Sequence, residues 1–270
     1  MADALQPPSF EQIKLWLWSL LIIQARVAPL FLLLPFMNRA LVPRPISIGL
    51  AAGLGLLAVP AVNITADTVP EITLLFGLVL KEAVIGFTLG FLLAIPFWIF
   101  ETVGFIIDNQ RGASMGATLN PLTGHDSSPL GQLFSLAFIV YFLTAGGATV
   151  LLGILYDSYR LWHPLQFWPT LSPEFADLIM AQLNRLIGLG LLLAAPVLVA
   201  MFLAELGLAL VSRFAPQLQV FFLAMPIKSA LALLILAIYA STLFDYAAPE
   251  LRLGSTWVNQ LNPLLQPSGR

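Results

Sequence analysis

Five stretches of this chain carry no charged side chain: Pro45 to Ala66, Ala83 to Phe100, Ser127 to Tyr156, Leu186 to Ala204 and Ser229 to Phe244. Each is apolar over most of its length, and no other feature limits the fold so severely. Apolar runs of about 18 residues or more are candidate transmembrane helices, because about 20 residues at 1.5 Å rise cross the hydrocarbon core. Composition agrees. The chain is 59% hydrophobic and only 10% charged, against about 25% charged in a soluble domain. The reading is an all-α integral membrane protein whose 270 residues suit one membrane domain and leave no room for a separate soluble one.

Several function classes fall away. A net charge of −2 gives a nucleic-acid partner no electrostatic support. With no cysteine there is no disulfide, thiol catalysis or cysteine-ligated metal. The two histidines, His125 and His163, are far apart, and neither has a metal-ligand spacing such as H-E-x-x-H. His125 beside Asp126 reads as a turn pair rather than a dyad. No G-x-S-x-G elbow, phosphate-binding loop or nicotinamide fingerprint is present. No catalysis, cofactor or metal is expected. The start, MADALQPPSFEQIK, lacks a basic n-region and a small-residue cleavage site. The first apolar helix is expected to direct insertion and to stay.

Six main hydrophobic segments are expected, at about 11–35, 46–62, 72–100, 130–156, 183–212 and 218–246. Turn chemistry separates them: Pro43 and Pro45, then Asn63 to Pro70, then Arg213 to Pro216. The connection 157–182 contains Pro164, Pro169 and Pro173. Tyr156, Tyr159, Trp162, Phe167 and Trp168 in and before it fit a membrane–water interface, or ordinary loop packing. Arg39, Arg44, Arg111 and Arg213 lie in the odd-numbered loops, which places those loops in the cytoplasm and both termini outside. Gly49 with Gly53, Gly86 with Gly90, and Gly112 with Gly116 have the spacing of close helix contacts, internal or with another chain.

Charges within apolar runs are costly and face protein or water. They are Arg26, Lys81, Glu82, Glu205 and Lys228. If Arg213 to Pro216 turns a hairpin, Glu205 and Lys228 reach similar depths, and an ion pair between the arms is expected. It reads as a structural clamp or as part of a proton relay. Lys81 and Glu82 are adjacent, point to different helix faces, and are expected not to pair.

The stretch ETVGFIIDNQRGASMGATLNPLTGHDSSPLG, residues 101–131, interrupts the apolar pattern. Glu101 and Asp108 are two helical turns apart and share a face, and Pro96 weakens the helix before them. Small residues follow, then the turn signals Asn120-Pro121 and Gly124. Non-helical backbone at membrane depth is tolerated only when buried or lining a wet cavity. The stretch is therefore a loop outside the membrane or the lining of an aqueous path.

Two of these pieces also resemble a known family. GFIIDNQRGASMGATLNPLTGHDSSPLG, residues 104–131, is similar to the injectisome branch of the T-type export-gate proteins of bacterial type III secretion, the FliR/SctT/SpaR family. RFAPQLQVFFLAMPIKSALALLILAIY, residues 213–239, resembles that family's carboxy-terminal helical hairpin. The resemblance spans roughly residues 10–250. It implies a virulence-associated inner-membrane protein, possessing no catalysis of its own, in the conduit through which unfolded substrates leave the cytoplasm. R- and S-type subunits would be its partners in that export gate, with the U-type switch protein and the V-type protein beside it. The T-type subunit resembles an R-type subunit fused to an S-type one. On this chain that implies an R-type-like region 1–182 with a plug loop at about 101–129, an S-type-like hairpin at 183–246 and a polar tail at 247–270. Hairpins packed in a spiral, raised towards the periplasm, are implied in place of a conventional bundle.

Carried onto this sequence, the family's plug is Gln110, Arg111, Gly112, Ala113, Ser114, Met115, Gly116, Ala117 and Thr118. Small side chains would let it pack tightly and still move, and Met115 is adaptable. Flagellar relatives have bulkier aromatic residues in this loop, which this chain lacks. Arg111 is expected to contact Asp108. Phe214, Pro216 and Gln217 would form the cytoplasmic loop that meets the U-type protein. Glu82, Glu101, Asp108, Glu205 and Lys228 are expected as buried charges. The alternative is a stand-alone secondary transporter coupling through Glu82, Glu205 and Lys228, and a purely structural scaffold is a further rival.

Overall fold

The computed structural model describes residues 9–37, 41–61, 72–113, 128–166, 174–214, 220–247 and 249. Among them there is helix and no strand. The elements are α1 (Phe10–Leu33), α2 (Arg44–Ala58), α3 (Ile72–Arg111), α4 (Pro129–Thr144), α5 (Gly147–Leu161), α6 (Glu174–Phe214) and α7 (Val220–Asp245), with short 3-10 turns at Pro35–Met37 and Val59–Ala61. Four are long and apolar enough to cross a membrane, or five spans if α4 and α5 count as one. Two are longer than a span requires. α3 has 40 residues and α6 has 41, contour lengths of about 60 Å against a hydrocarbon core of about 30 Å.

Local chemistry explains most boundaries. Ser9 and Gln12 form a reciprocal capping box that starts α1. Pro45 and Pro129 sit in the first turns of α2 and α4, where a missing N–H costs nothing. α3 ends in a Schellman turn: the Gly112 N–H donates to the Asn109 carbonyl and the Ala113 N–H to the Asp108 carbonyl. Gly112 has φ +83°, which glycine adopts without a Cβ penalty.

Three expected boundaries are corrected. The helix does not weaken beyond Pro96 but continues to Arg111, so Glu101, Asp108, Gln110 and Arg111 are helical; freed backbone groups at a proline are tolerated in long apolar helices. The apolar run 130–156 is broken in two at Gly146, whose φ is +84°. Helix α6 begins at Glu174 rather than near 183, because its first turns are polar and hydropathy overlooks them.

The chain forms two compact units. The first runs to Ala94 and takes in Ala148–Leu178; the second comprises Ile95–Gly147 and Ile179–Leu253.

In the first unit, α1 buries the stripe Ile22, Ile23, Arg26, Val27 and Leu30. Gly86 and Gly90 of α3 lie against the α1 backbone at Arg26 and Leu30, and a Cβ on Gly90 would sit 2.8 Å from the Leu30 carbonyl oxygen. That glycine pair serves internal packing. A Cβ added to Gly49 or Gly53 of α2 would meet nothing within 4 Å among the described residues. Tyr159 and Trp162 are buried, and the Tyr159 hydroxyl donates to the Ile23 carbonyl at 3.0 Å. These two aromatics therefore pack inside the chain; Phe167 and Trp168 lie outside the described residues.

The second unit is organised around aromatic rings. Phe138 packs edge-on to Phe97 at 4.8 Å and stacks on Phe100 at 4.6 Å, and Phe100 meets Phe244 at 5.8 Å. Helix α6 buries Leu193, Ala194, Val197 and Met201, and α7 buries Ala224, Lys228, Ala232, Leu236 and Leu243. Both stripes are narrow. Only 28% and 22% of the most apolar windows of these helices are buried, against 67% for α3.

Candidate functional site

The last turns of α3 and the first turn of α4 bracket the segment that interrupts the hydrophobic pattern. Glycines allow their approach: a Cβ on Gly104 would overlap the backbone of Leu130 and Gly131, and one on Gly131 would meet the Glu101 carbonyl at 3.1 Å. One turn beyond this contact lies Asp108, 2% exposed. Its Oδ1 accepts from Arg111 Nε at 2.6 Å. Its Oδ2 accepts from the Ser128 hydroxyl at 2.7 Å and from the Leu130 backbone N–H at 2.9 Å. Ser128 Oγ in turn accepts from the Gly131 N–H at 2.9 Å, capping α4.

One carboxylate therefore joins both ends of the segment. It neutralises a cation at the carboxy end of α3 and completes the amino-terminal cap of α4, where negative charge is favoured. Hydrogen bonds to a charged group contribute roughly 1.5–3 kcal/mol each. Gly112 adds a contact: a Cβ there would lie 3.5 Å from the Met225 side chain of α7. Of the nine candidate plug residues, Gln110, Arg111, Gly112 and Ala113 are described. Ser114, Met115, Gly116, Ala117 and Thr118 lie outside the described residues, as do Pro216 and Gln217. Phe214 ends α6 and is 88% exposed.

The expected charges behave differently from one another. Lys228 Nζ donates to Glu205 Oε2 at 2.9 Å, the pair expected between the hairpin arms. Lys228 is buried, but the Glu205 side chain is 49% exposed. Glu101 is also exposed, although it shares a face with the buried Asp108. The shared face is a matter of angle; the start of α4 covers the Asp108 side chain and leaves the Glu101 side chain exposed. Glu205 and Glu101 are thus corrected from buried to exposed on this chain.

Glu82 is fully buried in the first unit. Arg26 grips it with two bonds, Nε to Oε2 at 2.5 Å and Nη2 to Oε1 at 3.0 Å. Arg26 also donates to Ser158 Oγ at 2.9 Å and the Trp162 carbonyl at 3.0 Å, and lies 4.2 Å from the Tyr159 ring centre. Lys81 does pair with Glu82, at 2.7 Å, contrary to expectation. Both side chains bend towards one polar centre, where Lys81 also donates to the Pro164 and Gln166 carbonyls at 2.9 and 2.7 Å. Side-chain length overcame the angular separation of neighbours on a helix.

Sequence reasoning singled out Arg26 without its partner and missed Ser128, Ser158 and the carbonyls of 162–166. Arg26 and Glu82 are 56 positions apart, and no local spacing links them. Arg111 with Asp108 was readable because i,i+3 residues are neighbours on a helix. Among the described residues no group of three His, Cys, Asp or Glu is placed to hold a metal ion.

Comparison with known proteins gives a consistent answer. The family model described as bacterial export proteins, family 1, matches residues 17–253. The chain is 39% identical to Yop proteins translocation protein T of Yersinia pestis, over 98% of this chain and 99% of that protein. It is 37% identical to surface presentation of antigens protein SpaR of Salmonella typhimurium, over 80% and 81% of the two chains. Identity to flagellar biosynthetic protein FliR of Bacillus subtilis is 28%, over 84% and 87%.

Proposed function

The chain belongs to the bacterial export proteins of family 1, the FliR/SctT/SpaR proteins of type III export, and from that premise we propose that it is a non-catalytic core subunit of the export gate. It takes part in protein export as an all-helical membrane component. In the proposed assembly it joins R- and S-type subunits in the bacterial inner membrane and forms with them the conduit for unfolded substrates. The region 1–182 takes the R-type role, the hairpin 183–246 the S-type role, and the polar tail is 247–270. The end of α6 at Phe214 faces the U-type protein, and the V-type protein completes the surroundings.

The observation that carries the reading is the carboxylate of Asp108, which draws the end of α3 and the start of α4, the two flanks of the segment that holds the candidate plug, to one point. A segment tied at its base can fill a pore and be displaced as a unit while the helices around it stay folded. The Schellman turn at Gly112 and Ala113 ends α3, and the Ser128 cap starts α4. Two further features support an assembled role. The contour lengths of α3 and α6 exceed a bilayer span, as a gate raised towards the periplasm requires. The apolar faces of α6 and α7 are mostly uncovered in this chain, as expected of helices that pack on neighbouring subunits.

The transporter alternative needs Glu82 as a coupling charge. Both oxygens of Glu82 are held by Arg26 and Lys81, and its side chain has no exposure.

Co-purification in mild detergent tests the proposal. A tag on this chain is expected to recover R- and S-type subunits in one stable complex. A monodisperse preparation of this chain alone, with those subunits expressed but absent, would overturn it.

A further inference from the structure

An open cavity of about 370 Å³ lies in the second unit, lined by Trp98, Glu101, Thr102, Phe105, Ser128, Gly131 and Gln132. It is separate from the Asp108 clasp, although Ser128 touches both. Among its described lining residues Glu101 brings the only charge. Between Ala83 and Ile107 α3 has no other ionisable side chain, and α4 has no charged residue at all. The wall around the cavity is apolar and open: Phe105 is 46% exposed, and Leu133, Leu136 and Val140 of α4 are 57%, 43% and 61% exposed. Among the described residues the Glu101 carboxylate has neither a hydrogen bond nor an ion pair, in contrast to Glu82, Asp108 and Glu205.

We propose that this cavity receives a lysine or arginine side chain from an apolar helix of a neighbouring membrane subunit, with Glu101 as its counter-charge. Charge complementarity selects the occupant. An apolar wall this open has to be covered by lipid or by protein, and either cover removes water from Glu101. A carboxylate left unpaired in that setting is expensive, whereas a basic group converts it into an ion pair. Aromatic rings beside the carboxylate favour the same occupant, since their faces attract cations, and the Gln132 amide oxygen offers an acceptor for a remaining N–H. The volume suits one long side chain and its attendant waters. A lipid ammonium group and this chain's own His125 are competing sources of positive charge.

The inference rests on the export-gate reading. Its test uses the whole complex in native membranes, with a photo-crosslinking amino acid in place of Leu133, which is exposed beside the cavity and outside its lining. Illumination is expected to join this chain to one neighbouring subunit at a peptide containing lysine or arginine. Adding Glu101→Gln should lower that yield, and Glu101→Lys should lower it about tenfold or more, because like charges would then face each other. Replacing the partner's basic residue with glutamate should restore the yield to Glu101→Lys. Glu101→Gln preserves size, and an unchanged recovery of the tagged chain itself from the membrane controls for folding in both variants. Crosslinks to lipid or to residues 114–127 alone would overturn the proposal, as would yields unaffected by either substitution. If the unsubstituted chain co-purifies with no membrane subunit, the export-gate reading fails first.

Discussion

Each unit of the molecule holds charge among apolar helices, but by different means. In the first, Arg26, Lys81 and Glu82 are enclosed, with side-chain exposures of 0%, 4% and 0%. Carbonyls, a serine and a tyrosine ring complete their coordination within the unit. In the second, Lys228 is 11% exposed while its partner Glu205 is 49% exposed, and Glu101 has no partner within the described chain. Glycines serve both units: Gly86 and Gly90 touch the α1 backbone in the first, and Gly104 and Gly131 bring α3 and α4 together in the second, while Gly188 and Gly207 of α6 have open space around them among the described residues. The first unit encloses the charges it buries and pairs them within itself. The second offers incomplete pairings, as a subunit built into a larger assembly would.

Five substitutions would break or sharpen this comparison. The largest effect is expected from Glu82→Gln, which leaves two cations enclosed without a counter-charge and costs about 3–5 kcal/mol. Thermal unfolding of the purified complex should show it, and a wild-type midpoint would mean that the cluster is solvated after all. Next is Asp108→Ala, expected to cost about 2–3 kcal/mol where α3 and α4 meet. Limited proteolysis between Gly112 and Ser128 should accelerate while the helices stay protected. Gly86→Ala should cost about 1–3 kcal/mol by forcing α3 from the α1 backbone. The matched Gly207→Ala should leave this chain at least as stable as before, since alanine favours a helix interior by about 0.5–1 kcal/mol, and lower only partner recovery. Glu205→Gln is the smallest, about 1 kcal/mol or less on the chain itself, because a half-exposed pair contributes little. A loss as large as that of Glu82→Gln would erase the distinction between the units.

The sequence exposed some of this and concealed the rest for physical reasons. Long charge-free runs gave the helical class and most segment positions, since hydropathy reports burial in either lipid or protein. It could not locate the end of α3, because Glu101 to Arg111 is polar enough to read as loop yet helical in fact. The Glu205–Lys228 pair was readable because a hairpin converts sequence distance from its turn into depth. The Arg26–Glu82 pair and the Ser128 and Leu130 bonds to Asp108 were not, because long-range packing brings those groups together. Nor could charge alone distinguish Glu82, held on all sides, from Glu101, which lacks a partner here.

The most direct test of the account is the membrane potential of cells carrying the assembled complex with Ser114 to Thr118 deleted, which spares Arg111, Gly112 and Ala113 at the end of α3. The account predicts that this chain still co-purifies with its partners and that the membrane depolarises, because most of the plug is gone and its frame at Asp108 remains. An ion-tight membrane with export at the normal rate would contradict it.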